Sequence, residues 1–120
     1  MVFEEGAFCE VRGNGLGIGK IGEVGDTEVL VEYFSSPVRS QSFSELVDKA
    51  NVARIHLDSQ TRVYFRDPVT DFWGTGRVLD RVDNGEYLIQ FPGQVLKKVP
   101  EQELYTRWNL PVEAPLELLG

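Results

Sequence analysis

Residues 84 and 85 are Asn-Gly, set between two runs of strand-forming residues, and this pair constrains the fold more than any other short signal in the chain. Both central positions of a two-residue hairpin need positive φ, which asparagine and glycine tolerate, so the pair predicts a tight antiparallel reversal. After it, Tyr87, Ile89 and Phe91 alternate with Glu86, Leu88 and Gln90, the period of a strand with one buried face. Before it, a longer strand begins near Trp73-Gly74. A short strand, Val63-Tyr64-Phe65, leads into a turn at Asp67-Pro68. The stretch from Thr61 to Phe91 holds six of the thirteen aromatic residues (Tyr64, Phe65, Phe72, Trp73, Tyr87 and Phe91), so a core and any ring-lined site are expected here.

The same grammar occurs earlier in the chain. Gly19-Lys20-Ile21 matches Gly76-Arg77-Val78, and Phe34 lies fifteen residues after Gly19 as Phe91 lies fifteen after Gly76. Ala7 to Val11 reads as a strand, followed by the glycine-rich loop at Gly13 to Gly17. Ile18 to Val24 is a second strand, turned by Gly25-Asp26. Val29, Val31 and Tyr33 then alternate with Leu30, Glu32 and Phe34, and Pro37 closes the run. Ser40 to Ala50 fits either a capping box opening a helix or a fourth strand (Arg39 to Ser44) with one helical turn; a barrel needs the strand. Val52 to Leu57 is a fifth strand. In the later half Val95 to Val99 is the fourth strand, Pro100 to Leu104 a 3-10 turn and Tyr105 to Trp108 the last strand.

A period of 57 residues (76 minus 19) implies duplication. The expected fold is all-β: two tandem five-stranded SH3/Tudor-like barrels with short 3-10 or helical turns. They span residues 1–59 and 60–108, with 109–120 as a tail or a linker to a following domain. Units of about 50–60 residues have small cores, so the two are expected to pack together.

Charge is uneven. Residues 1–59 carry 5 basic and 10 acidic side chains, while 60–108 carry 7 of each, within a net charge of −7. Because nucleic-acid affinity comes largely from Lys and Arg on phosphates, the first half is a poor candidate for it. The second can still present a local basic face. The single cysteine, Cys9, excludes an internal disulfide and a cysteine-based zinc site. No run approaches the ~18 apolar residues of a membrane span. The start, MVFEEGAF, is acidic where a signal peptide is basic, so a cytoplasmic location without membrane contact is expected.

Chemistry-bearing motifs are weak. Gly17-Ile18-Gly19-Lys20-Ile21-Gly22 matches the dinucleotide pattern formally, but Gly25-Asp26 arrives where the pyrophosphate-binding helix should run. Ile21 stands where a Walker A motif needs Ser or Thr. His56 is the only histidine and lies in an alternating strand, away from any ligand cluster. Asp80 and Asp83 read as solvated strand-end charges. With no nucleophile–base pair or metal set, the chain is read as a non-enzymatic binding module with no cofactor.

The aromatic residues carry more information. Tyr64, Trp73, Tyr87 and Phe91 come from neighbouring strands and are expected either to converge at one mouth of the later barrel or to fill its core. Converged rings hold a cation or stack a base. Arg62, Arg66, Arg77, Arg81, Lys97 and Lys98 supply positive charge beside them, as phosphate contacts or as solvated surface. Period two places Arg77 and Arg81 on one face. The surface around Trp73, Tyr87 and Arg77 is the expected contact site.

Val-Tyr-Phe-x-Asp-Pro, Trp-x-x-Gly-Arg-Val, Gly-x-Tyr-x-x-x-Phe-Pro and Glu-Leu-x-x-Arg-Trp, taken in order, resemble a Tudor-like barrel. Gly-Leu-Gly-Ile-Gly-Lys-Ile with Val-Leu-Val-Glu-Tyr-Phe resembles an earlier one. Two such units in tandem, over about residues 6–110, resemble the N-terminal region of bacterial RapA-type ATPases of the SWI/SNF helicase-like superfamily. The resemblance implies a regulatory piece of a DNA-dependent ATPase. Its partners would be its own ATPase motor, RNA polymerase or DNA/RNA. The resemblance also implies an Asp-Tyr-Gly after the third strand; Pro92-Gly93-Gln94 stands there instead and removes one wall of a methyl-lysine cage.

Overall fold

The structure, a computed structural model, describes residues 3–13, 15–34, 42–82, 85–111 and 114. Strands β1 (Phe8–Val11), β2 (Gly19–Val24), β3 (Glu28–Phe34), β4 (Ser42–Asp48) and β5 (Val52–Arg54) form one antiparallel sheet in the order β4-β3-β2-β1-β5. Strands β6 (Arg62–Arg66), β7 (Trp73–Val82), β8 (Glu86–Phe91), β9 (Val95–Pro100) and β10 (Leu104–Tyr105) form a second, in the order β10-β6-β7-β8-β9. In each, the last strand pairs with the first, and the first four follow in sequence. Each sheet also carries a register shift at the same place, between Ile21 and Glu23 and between Val78 and Asp80. The all-β tandem architecture and its internal repeat are therefore present in the strand pairing itself.

Several boundaries move. β4 extends to Asp48, taking the residues expected as a helical turn. The turn is instead the 3-10 segment Lys49–Asn51, whose first N–H groups need an acceptor; the Asp48 carboxylate takes the Ala50 N–H at 2.9 Å. Residues 39–41 of the expected strand lie outside the described residues. β5 stops at Arg54, and Leu57 beyond it is buried in the second core. The last strand is Leu104–Tyr105, not 105–108. Asn109 Oδ1 accepts from Thr106 N at 2.8 Å and closes a turn that ends the strand, leaving Trp108 outside it. The equivalent of Phe91 is Tyr33, not Phe34. Lys20 pairs with Glu32 and Arg77 with Gln90, because the second hairpin is one residue longer (Val24 opposite Val29, Arg81 opposite Tyr87). The reversal is also one residue longer than the expected two-residue turn: Val82 pairs with Glu86, so it spans 83–85, with Gly85 at φ +72° and residues 83 and 84 outside the described residues.

Two glycines sit at the matched positions of the repeat for a packing reason. A Cβ on Gly76 would stand 2.7 Å from Ile89 Cγ2 and 2.8 Å from the Gln90 carbonyl oxygen. A Cβ on Gly19 would overlap Val31 Cγ1 in the same way. Because one of the Gly76 obstacles is backbone, Gly76→Ala is expected to cost about 1–3 kcal/mol. A urea midpoint unchanged from wild type would refute that.

Each barrel has its own core, around Ile21, Val31 and Tyr33 in the first and Val63, Val78 and Ile89 in the second. The seam between them is built on β1. Cys9 faces the first core, and Phe8, one residue back and fully buried, faces the second. Beside Phe8, the Lys20 ammonium donates to Gly6 O (2.7 Å) and Glu101 O (3.0 Å) and lies 4.4 and 5.0 Å from the ring centres of Phe8 and Tyr105. The Glu101 carboxylate accepts from Phe8 N at 3.1 Å and Arg54 Nη2 at 3.0 Å. Asn109 Nδ2 donates to Ile18 O at 3.1 Å, tying the start of the expected tail to the first barrel. Among the described residues of that segment Leu110 and Ala114 are also buried.

Candidate functional site: the mouth of the second barrel

One end of the second barrel opens between the β6–β7 loop and the 3-10 turn Pro92–Gln94. A cavity of about 250 Å³ lies there, lined by Phe65, Phe72, Trp73, Phe91, Val95 and Lys97 together with Asp67 and Thr70. The Phe65 and Phe91 rings form its floor, 5.9 Å apart and tilted. Phe72 is 77% exposed and Val69 90%, an unusual outlay of apolar surface on one short loop.

Hydrogen bonds hold that loop in place. Asp67 Oδ1 accepts from Val69 N (2.8 Å) and Thr70 N (3.3 Å), while Asp67 N donates to Phe72 O (2.9 Å). These N–H groups hold the Asp67 carboxyl below its usual range. Arg66 Nη2 and Nε each reach Asp71 Oδ1 at 2.7 Å, and Asp71 takes the left-handed φ of +66° that asparagine and aspartate tolerate. Phe72 is thus presented by a constructed turn. The 3-10 turn opposite, Pro92–Gln94, carries no aromatic ring, so the aromatic lining is one-sided.

The expected site residues divide into three groups, with Arg81 apart from all of them. Trp73, Phe91 and Lys97 meet at the mouth, and Arg66 braces its loop. Tyr87 does not belong to any surface: it is fully buried and its hydroxyl accepts from Leu57 N at 3.0 Å, so it joins the inter-barrel connection to the second core. Tyr64 points to the outer face, since it alternates with the inward Val63 and Phe65; there it packs with Leu110, Ala114, Trp73 and Tyr105. Arg62 and Arg77 are cross-strand partners on that outer face, in one row with Gln90 and Leu96. Arg81 is not on their face. The register shift after Val78 sets Arg81 opposite the inward Tyr87, whereas Arg77 lies opposite the outward Gln90. Lys98 shares the outer row of Leu88 and Asp80. Phe72, Val69 and Val95 were not anticipated as site residues; an aromatic and a valine inside a polar turn, DPVTDF, are the signal that points to them.

Among the described residues no three His, Cys, Asp or Glu gather to hold a metal, and no helix is long and apolar enough to cross a membrane.

The chain is thus a tandem pair of five-stranded antiparallel sheets with a ring-lined mouth at one end of the second. No protein-family profile matches the chain. No curated protein matches it. Among solved structures it is similar to the crystal structure of ADCP1 tandem Agenet domain 3-4, at 22% identity over 91% of this chain and 88% of that one, with a TM-score of 0.39.

Proposed function

We propose that the chain is a non-catalytic interaction module whose partner is a protein segment seated in the mouth of the second barrel. Exposed Phe72 on a hydrogen-bonded loop is the observation that carries this reading. An aromatic anchor beside a half-buried tryptophan, with one acid (Asp67) and one base (Lys97) at the rim, is the composition of a protein-binding patch. The motif resemblance to RapA-type ATPases supports a finer reading: a regulatory module in which the segment belongs to the ATPase motor or to RNA polymerase. The alternative is a stand-alone Tudor-like transcription-factor domain that binds protein or nucleic acid.

Purified bacterial core RNA polymerase, and separately a RapA-type motor, titrated against the immobilised chain will test this. Phe72→Ser is expected to weaken capture by about tenfold or more with the thermal midpoint unchanged, because the ring makes little intramolecular contact. Undiminished capture by a folded Phe72→Ser chain would remove the mouth from the account. Capture of neither partner would remove the finer reading.

A further inference from the structure

The outer face of β6 and β7 carries a second concave surface, composed differently from the mouth. Two grooves meet at Arg62. One, of about 410 Å³, sits at the seam and is lined by Ile18, Thr61, Arg62, Tyr64, Arg107 and Trp108. The other, of about 440 Å³, crosses the sheet past Arg62, Thr75, Arg77 and Gln90 to Pro92. Both are within the range of about 300–1,000 Å³ typical of ligand sites.

Their chemistries are complementary. In the seam groove the rings carry the walls: the Arg62 guanidinium lies 5.6 Å from the Tyr64 ring centre and Arg107 5.8 Å from that of Trp108. Trp108 is 36% exposed, so part of its indole is open to a stacking partner, while Tyr64 supplies a buried floor. In the sheet groove Arg62 and Arg77 stand opposite one another on neighbouring strands, with the hydrogen-bonding side chains of Thr75 and Gln90 alongside. Among the described residues no carboxylate lines either groove, although the chain as a whole carries −7. The mouth, by contrast, includes Asp67.

An accessible ring beside paired guanidiniums, with no acid among the described lining residues, matches a flat base joined to phosphates. We infer that these grooves bind a short single-stranded nucleic acid, with a base against Trp108 and the adjoining phosphates on Arg62 and Arg77. The acidic remainder of the chain repels polyanions, which confines binding to this face and to a short strand.

Fluorescence anisotropy with labelled oligo-U and oligo-dT of about ten nucleotides tests this, at salt from about 50 to 200 mM. Two guanidinium–phosphate contacts predict that log affinity falls with log salt at a slope of about −1.4. Arg62→Glu/Arg77→Glu and Trp108→Ala are each expected to lower affinity about tenfold or more, and Phe72→Ser to leave it unchanged. Trp108 packs against Gly17, so its replacement can disturb the neighbouring loop. The wild-type indole resonances then give a reading without mutation: oligonucleotide must shift the Trp108 N–H and spare that of Trp73. The inference is overturned by no oligonucleotide binding at low salt, by unchanged affinity in the arginine variant, or by equal affinity for an oligoglutamate peptide. None of these outcomes bears on the mouth, whose test uses Phe72.

Discussion

Phe8→Ala will cost about 3–5 kcal/mol and will destabilise both barrels at once. The ring belongs by sequence to the first barrel and by packing to the second, where it is fully buried with Leu57, Val63 and Leu104. Its own N–H is held by Glu101 of the second barrel. A loss of that size is a large part of the roughly 5–15 kcal/mol that holds a domain together. Two probes divide the chain conveniently. Both tryptophans, Trp73 and Trp108, lie in the second half, and the buried Cys9 thiol lies in the first core. Fluorescence and thiol labelling in urea are expected to report one shared transition in the wild type and one shared, lowered transition in Phe8→Ala. If the variant moved only the tryptophan signal, the barrels would be separate folding units and the seam merely a contact.

The second large effect concerns Lys20 and pH. Burial at the seam lowers its pKa from the ordinary 10.5 to about 7, against the opposing pull of the Glu101 and Glu32 carboxylates and of Cys9. Between those two values the unfolded chain holds a proton that the folded chain releases, so stability rises with pH across this window. Below pH 7 the folded state bears the whole cost of the buried ammonium; toward pH 10 the cost is relieved. Since each pKa unit corresponds to about 1.4 kcal/mol, the rise amounts to a few kcal/mol. Lys20→Met has no such titration. The difference in urea midpoint between wild type and Lys20→Met should therefore shift in favour of wild type as pH climbs from neutrality. Parallel profiles would mean that the two carbonyl acceptors and two ring faces keep Lys20 charged throughout.

Much of the fold was legible because its signals are local. Alternation at Tyr87, Ile89 and Phe91 and the Gly-Lys-Ile/Gly-Arg-Val echo are patterns a single strand or turn imposes on its own residues. Parity was not legible past the bulge: one unpaired residue after Val78 turns Arg81 to the opposite face from Arg77, and no composition signal marks it. Nor was the burial of Tyr87, since alternation says which face a ring occupies and not how much covers it. The seam was hidden for a related reason. Phe8 and Lys20 occupy the side of their sheet that a solitary barrel would leave wet, and only the neighbour's position makes a ring and an amine suitable there. The mouth was half visible, with Trp73 and Phe91 expected and Phe72 overlooked inside a turn.

The repeat also puts one pair of positions to two different uses. By register, Phe8 and Lys20 in the first copy correspond to Arg62 and Arg77 in the second. The first copy uses that face to dock onto its successor, an unlike-to-like contact that, continued through further copies, propagates into a fibre. In the second copy the same two positions are guanidiniums, which resist the desolvation such docking demands. One pair of register positions thus serves burial in the first copy and carries charge in the second.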